Sequence, residues 1–205
     1  MSFVAAAIAR DGAVVVTDGR AMGWSPDGSV VNVQVDRIIP VGKNALIAAG
    51  GAPEAVEMAK KAAAFIHDEG LEELNRIFHA LVAFLAGEYE AFMRKKCQVV
   101  PVDPTHYIHF LLVGYDAPED AFKMFLIWNK KKLPSLDGEQ VGPVFSVPRI
   151  MSLEVTLMQM VKEGAGVGEL VKEIEKRISS VEKISDDIGP PWKFMLIDRE
   201  GIKRA

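Results

Sequence analysis

The opening stretch, MSFVAAAIARDGAVVVTDGRA, constrains the fold more than any other part of the chain. Two short apolar runs, Phe3 to Ala9 and Ala13 to Thr17, flank Arg10-Asp11-Gly12. Asp-Gly between two such runs signals a hairpin, because glycine accepts the positive φ that a tight turn demands. The second run ends abruptly in Thr17-Asp18-Gly19-Arg20-Ala21. Chain termini fray unless the fold ties them down. A buried hairpin at the very start, with charged residues at its far end, therefore calls for a reason.

The remaining elements follow in a simple order. Residues 22 to 32 are turn-rich, with Ser25-Pro26-Asp27-Gly28 as a turn signature. Val33 to Val41 and Asn44 to Ala49 are strand candidates joined by Gly42-Lys43, and Gly50-Gly51 interrupts the apolar run. Ala52-Pro53-Glu54 reads as a helix start, since proline is tolerated in the first turn and acidic residues suit the positive end of the helix dipole. Val56, Ala59, Ala63 and Ile66 recur at helical spacing, with Gly70 as the residue just past the end. Leu74, Phe78, Leu81, Leu85 and Phe92 form the stripe of a second helix reaching about Lys96. Val99 to Pro104 breaks the pattern; Tyr107 to Tyr115 and Phe122 to Trp128 read as strands, the first apolar enough to be buried on both faces. Lys130 to Val141 reads as a loop and Pro143 to Val147 as a short strand. Helices follow over roughly Ile150 to Glu163 and from Val167 to about Ile178, then a closing strand from Trp192 to Asp198. Strands, two helices, strands, two helices, strand: two stacked sheets with a helix pair outside each would cover every apolar face.

Composition narrows the function classes. The 205 residues fit a single domain over 1–205 with ample core. A net charge of −4, with no basic cluster longer than Lys130-Lys131-Lys132, argues against nucleic acid as a partner. Cys97 is the only cysteine, which excludes an intramolecular disulfide and suits a reducing cytoplasm. The N-terminus has no signal-peptide pattern, and no apolar run approaches membrane-span length.

With these elements in place, the chain resembles the proteasome β-type subunits and their bacterial relative, the HslV peptidase. Asp11-Gly12 and Asp18-Gly19-Arg20-Ala21 fit that family's first turn and its Asp-x-x-Ala motif. Ala49-Gly50-Gly51-Ala52-Pro53-Glu54-Ala55 is similar to its oxyanion stretch, Tyr107 to Gly114 to its strand ending in Val-Gly, and Met195 to Gly201 to its closing strand and turn. The resemblance implies an α+β fold, the four-layer αββα sandwich of the N-terminal nucleophile (Ntn) hydrolases. It also implies a homo-oligomeric ring, a peptide substrate and an ATPase partner of unspecified identity, with no cofactor, metal, nucleic acid or membrane.

The family register puts the nucleophile at Ser2, one residue after Met1. Removal of Met1 would expose an α-amine, whose pKa of about 8 suits it to take the hydroxyl proton. Asp18, at the end of a buried strand, needs partners to offset its desolvation; in the family this aspartate holds a catalytic lysine. Arg37, within Val35-Asp36-Arg37-Ile38, stands where the family has that lysine. Arginine keeps the charge and can pair with Asp18, but it does not release a proton as a buried lysine can. Gly50 is the implied oxyanion donor, since a glycine N–H can approach a developing charge closely. Ser146, in Phe145-Ser146-Val147-Pro148-Arg149, is the counterpart of a serine that positions the terminal amine, and Asp186 of an aspartate before the last strand, although the accompanying glycine and serine are missing. His106 and His109 lack the spacing and the companions of a metal site. Three functions remain open on the sequence: a serine-type amide or peptide hydrolase, a catalytically silent subunit that assembles into a shell, and a small-molecule amidohydrolase on the same fold.

Overall fold

Strand residues alternate between two faces, and here both faces are apolar. The computed structural model describes residues 2–25, 27, 29–97, 107–129 and 135–204. Strand β1 (Val4–Ile8) pairs antiparallel with β2 (Ala13–Thr17), Val4 opposite Thr17 and Ile8 opposite Ala13. Val4, Ala6, Ala13 and Val15 point into one core; Phe3, Ala5, Ala7, Val14 and Val16 point into another. A two-stranded element apolar on both sides must be sandwiched.

The first sheet has the order β10-β1-β2-β11-β12, with β10 at Val144–Val147, β11 at Lys193–Asp198 and β12 at Gly201–Arg204. The second has the order β5-β6-β7-β8-β9, comprising Ile38–Pro40, Ala45–Gly51, Ile108–Asp116, Ala121–Trp128 and Asp137–Gln140. The same alternation runs through the second sheet. Leu46, Ala48, Leu111 and Val113 meet Val4, Ala6 and Val15 between the sheets, whereas Ala45, Ile47, Phe110 and Leu112 face outward. Those outward residues are covered by α1 (Glu54–Asp68) and α2 (Leu74–Cys97). On the far side α3 (Met151–Lys162) and α4 (Val167–Val181) cover Phe3, Val14 and Val16 with Leu153, Leu157, Leu170 and Ile174. Three apolar layers separated by two sheets make the αββα sandwich.

Several local expectations are corrected. Gly12 is not among the positive-φ glycines; it is needed because a Cβ there would lie 2.4 Å from the Ile197 carbonyl oxygen. Its neighbour Asp11 reaches across the structure, where Oδ1 accepts the Val167 N–H at 2.8 Å and caps α4. Gly70 does lie past the end of α1 with φ +61°, and the Leu71 N–H closes back on the Ile66 carbonyl, as expected of a helix C-terminus. The stretch read as turn-rich is an outlying hairpin, β3 (Arg20–Trp24) with β4 (Val30–Gln34), belonging to neither large sheet. Val33 to Val41 is therefore not one strand: the chain leaves β4 at Gln34 and enters β5 at Ile38. The segment read as a loop before Val141 contains β9, a polar edge strand. Pro26 and Gly28 of the turn signature, the 99–104 breaker, His106 and the three lysines at 130–132 lie outside the described residues.

Candidate active site

The parity of β1 delivers Ser2 to the site. Val4 and Ala6 face the space between the sheets, and Ser2 shares their parity. On the facing sheet Gly50 continues the Leu46-Ala48 row, His109 continues the Leu111-Val113 row, and the two are paired in register. All three thus reach the inter-sheet space at one end. A Cβ built on Gly50 would lie 2.9 Å from Ser2 Oγ and 2.2 Å from His109 Nε2, so no residue with a side chain fits there.

Ser2 is buried, at 2% exposure, and its Oγ accepts the Gly51 N–H at 2.8 Å. Gly51 has φ +92°, and a Cβ there would meet the Tyr107 carbonyl oxygen at 1.9 Å. That backbone turn, open to glycine alone, aims the N–H at the hydroxyl. The donor beside the serine is therefore Gly51, while the implied donor Gly50 supplies the clearance.

Asp18 explains why the terminus is tied down. Its Oδ1 accepts the Phe3 N–H at 2.8 Å, and its own N–H donates to the Phe3 carbonyl at 3.2 Å. Arg37 Nε lies 3.3 Å from the same Oδ1, both side chains being almost fully buried. Arg37 Nη2 also donates to the Arg20 carbonyl at 2.8 Å, bracing the exit from β2. Burial pushes the Asp18 carboxyl above its ordinary pKa, against the pull of Arg37 and of the Phe3, Gly189 and Arg20 backbone amides. Burial likewise lowers the Arg37 pKa, opposed by Asp18. His109 is pushed down to about 3, first by burial and then by the Arg37 charge, so its ring is neutral at ordinary pH.

The structure does not bring the other two expected residues to Ser2. Ser146 pairs with Ala5 across β1 and β10, which puts it on the helix-facing side. Its Oγ lies 2.6 Å from Glu154 Oε1 and accepts the Ile150 N–H at 3.0 Å, fastening the start of α3. Glu154, itself buried, is paired with Arg149. Asp186 is exposed, and its backbone carbonyl, not its carboxylate, is engaged, by Arg20 Nη1 at 3.0 Å. Its neighbour Asp187 is the one that lines the cleft.

Ser2, Arg37, Gly51 and His109 open onto a cleft of about 1640 Å³. Its apolar wall includes Val56, Leu126, Trp128, Phe145 and Met158, and Glu57, Lys60 and Glu139 also line it. A buried hydroxyl held by a backbone N–H beside a fixed positive charge, at the head of such a cleft, is equipped to add to a carbonyl and stabilise the resulting charge.

No protein-family model matches the sequence, and no curated protein does. The fold is that of the Ntn hydrolases. Among solved structures, the chain is similar to Anbu (ancestral beta-subunit) from Yersinia bercovieri, with a TM-score of 0.71 over 98% of this chain and 86% of that one, at 11% sequence identity. This corrects the resemblance drawn from sequence motifs. Assignment to the proteasome β-type and HslV family is not upheld; the relationship is one of fold, to a proteasome-like protein, at an identity too low to carry family membership.

Sequence reasoning passed over three residues. Gly51 was hidden because a Gly-Gly pair does not reveal which N–H turns inward. Glu154 is separated by eight positions from the serine it binds. His109 did leave a signal, as the one titratable side chain in the apolar run Ile108 to Val113.

Proposed function

We propose that the chain is an amide hydrolase whose nucleophile is Ser2, activated once the Met1–Ser2 bond has been cut. The observation that carries this reading is the 2.8 Å bond from the Gly51 N–H to the buried Ser2 Oγ at the head of the cleft. The freed α-amine, with a pKa near 8, takes the hydroxyl proton as Oγ adds to the substrate carbonyl. The same proton passes to the departing amine as the C–N bond breaks, leaving an ester on Ser2 that water hydrolyses. Asp18 holds the backbone of Phe3, and hence the adjacent amine, in place; Arg37 offsets the Asp18 charge. Small-ligand pockets run to about 300–1,000 Å³, so a cleft of about 1640 Å³ favours an extended peptide over a small amide.

A second reading is a non-catalytic subunit of an assembly. Arg37 cannot relay a proton as lysine can, and Met151 and Val155 on α3 are 64% and 59% exposed, an apolar face suited to a neighbouring subunit. In either reading the chain is a single domain that works as a homo-oligomer in the reducing cytoplasm. Among the described residues, no helix is long and apolar enough to cross a membrane.

Intact mass followed by labelling with a β-lactone or a peptide epoxyketone decides between the two. The hydrolase reading expects loss of Met1, one adduct per chain, and none in Ser2→Ala. A protein with a confirmed free Ser2 amine that takes up neither reagent would establish the non-catalytic reading.

A further inference from the structure

The space between the sheets is left open at one edge. Leu126 and Trp128 of β8 and Phe145 and Val147 of β10 all turn into that space, and all four line the cleft. Trp128 stands in one row with His109 and Gly50, two strands and so about 10 Å from Gly50. Arg37, whose carbonyl accepts the Ala49 N–H beside β6, lies on the opposite side of Gly50. Leu126 is two residues, about 7 Å, further in, beside Leu111. On the facing sheet Val147 lies beside Val4 and Phe145 beside Ala6. The inner end is shut by the chain itself. The Val141 N–H donates to the Met124 carbonyl at 3.0 Å, while the Pro143 carbonyl accepts the Ile8 N–H at 2.7 Å. The backbone thus crosses from one sheet to the other between these residues, with Val141 turned inward. The result is a bay closed at its inner end and open towards Ser2. The charged side chains Glu139 and Arg149 beside it are engaged. Glu139 accepts the Trp128 indole N–H at 3.2 Å, and Arg149 lies 4.8 Å from the Phe145 ring centroid while paired with Glu154.

Apolar side chains that face an unfilled space forfeit burial and contact with one another. An apolar group from outside restores both, whereas a charged or amide side chain would shed its water there without gaining a partner. We propose that the bay is a specificity pocket for one bulky apolar side chain, leucine- or phenylalanine-like, of a peptide substrate. This rests on reading Ser2 as the nucleophile. The substrate residue next to the attacked carbonyl, on the side away from Arg37, lies over His109. Its side chain descends between Trp128 and Val147 onto Leu126 and Phe145. Trp128 and Val147 form the mouth and set which side chains enter.

The test reads the cleavage sites in a mixture of unstructured synthetic peptides digested by the mature wild type and by Val147→Trp, with thermal midpoints recorded alongside. The wild type should favour bonds that carry leucine, phenylalanine or methionine on one fixed side over bonds that carry alanine, serine or aspartate there. The preference should be about tenfold or more, as a hydrophobic pocket discriminates. Val147→Trp fills the mouth and should erase most of it. A wild type without the preference, or a preference that survives unchanged in Val147→Trp, overturns the pocket and leaves Ser2 as nucleophile. A mature wild type with a free amine that takes up no β-lactone overturns both. Where no peptide is cut, or Val147→Trp does not fold, the Trp128 indole N–H signal of the wild type decides by NMR. It should shift with N-acetylphenylalaninamide and not with N-acetylalaninamide, and a signal that answers both alike rejects the pocket.

Discussion

Acid should destabilise this protein through His109 in particular. The free imidazole titrates near 6.5, whereas in the fold it is held down to about 3, first by burial and then by Arg37. Below its ordinary pKa the unfolded chain takes up a proton that the native ring refuses. The stabilising contribution is therefore complete above pH 6.5 and is lost as the pH falls towards 3. From those two values, the loss between pH 7 and pH 5 is about 2 kcal/mol, rising to about 4 kcal/mol by pH 3. Asp18 has the opposite sign: its raised pKa gives a contribution present in acid and lost as the pH rises through the folded value. Urea unfolding at pH 7, 6 and 5, on the wild type and on His109→Gln, separates the two, because Asp18 is common to both proteins. The wild type should lose about 2 kcal/mol more than the variant over that range. Parallel pH dependences would mean that His109 titrates normally in the native state, and the account of its environment would be wrong.

Arg37→Met should cost about 3–5 kcal/mol in urea unfolding, because it leaves the Asp18 carboxylate buried without its partner; a loss below 1 kcal/mol would show that the pair contributes little. Ala6, 1% exposed between the sheets, should not tolerate aspartate, and Ala6→Asp should lose its cooperative unfolding transition. A stable Ala6→Asp protein would place β1 outside the core. Light scattering should return a mass above that of a dimer; a monomer at micromolar concentration would remove the assembly reading.

The layered core was legible because its physical cause is local. Runs apolar on both faces, such as Ala13 to Val16 and Phe110 to Val113, have to be covered twice, and two helix pairs are available to do it. The β3–β4 hairpin was not, because it lies outside the large sheets and leaves Val31 and Val33 37% and 41% exposed, so burial imprints no alternation on it. Strand β9 is polar for the same reason, being an edge. Within the site, Ser2 and Arg37 could be picked out only through the register of the proteasome-like resemblance, whereas Asp18 also stands out as a charge that ends an apolar run. Ser146 misled because a serine near the right place in the chain says nothing about parity, and parity turns it towards Glu154. His109 and Gly51 acquire meaning only from the pairing of β6 with β7, a long-range fact that no short window contains.

The bonds between Asp18 and Phe3 make the address of position 2 a matter of counting. They hold the Phe3 backbone, its N–H by the Asp18 carboxylate and its carbonyl by the Asp18 N–H, and are indifferent to which side chain precedes it. Whatever residue stands one place ahead of Phe3 is presented to the space between the sheets, and whatever stands at an odd step is presented to α3 and α4. One residue inserted between Ser2 and Val4 would turn the hydroxyl into the helix layer. Two would restore the face but carry it about 7 Å along the strand, beyond the Gly51 N–H. The side chain at position 2 can therefore change, serine for threonine or cysteine, without leaving that face, while its distance from Asp18 along the chain is held by arithmetic.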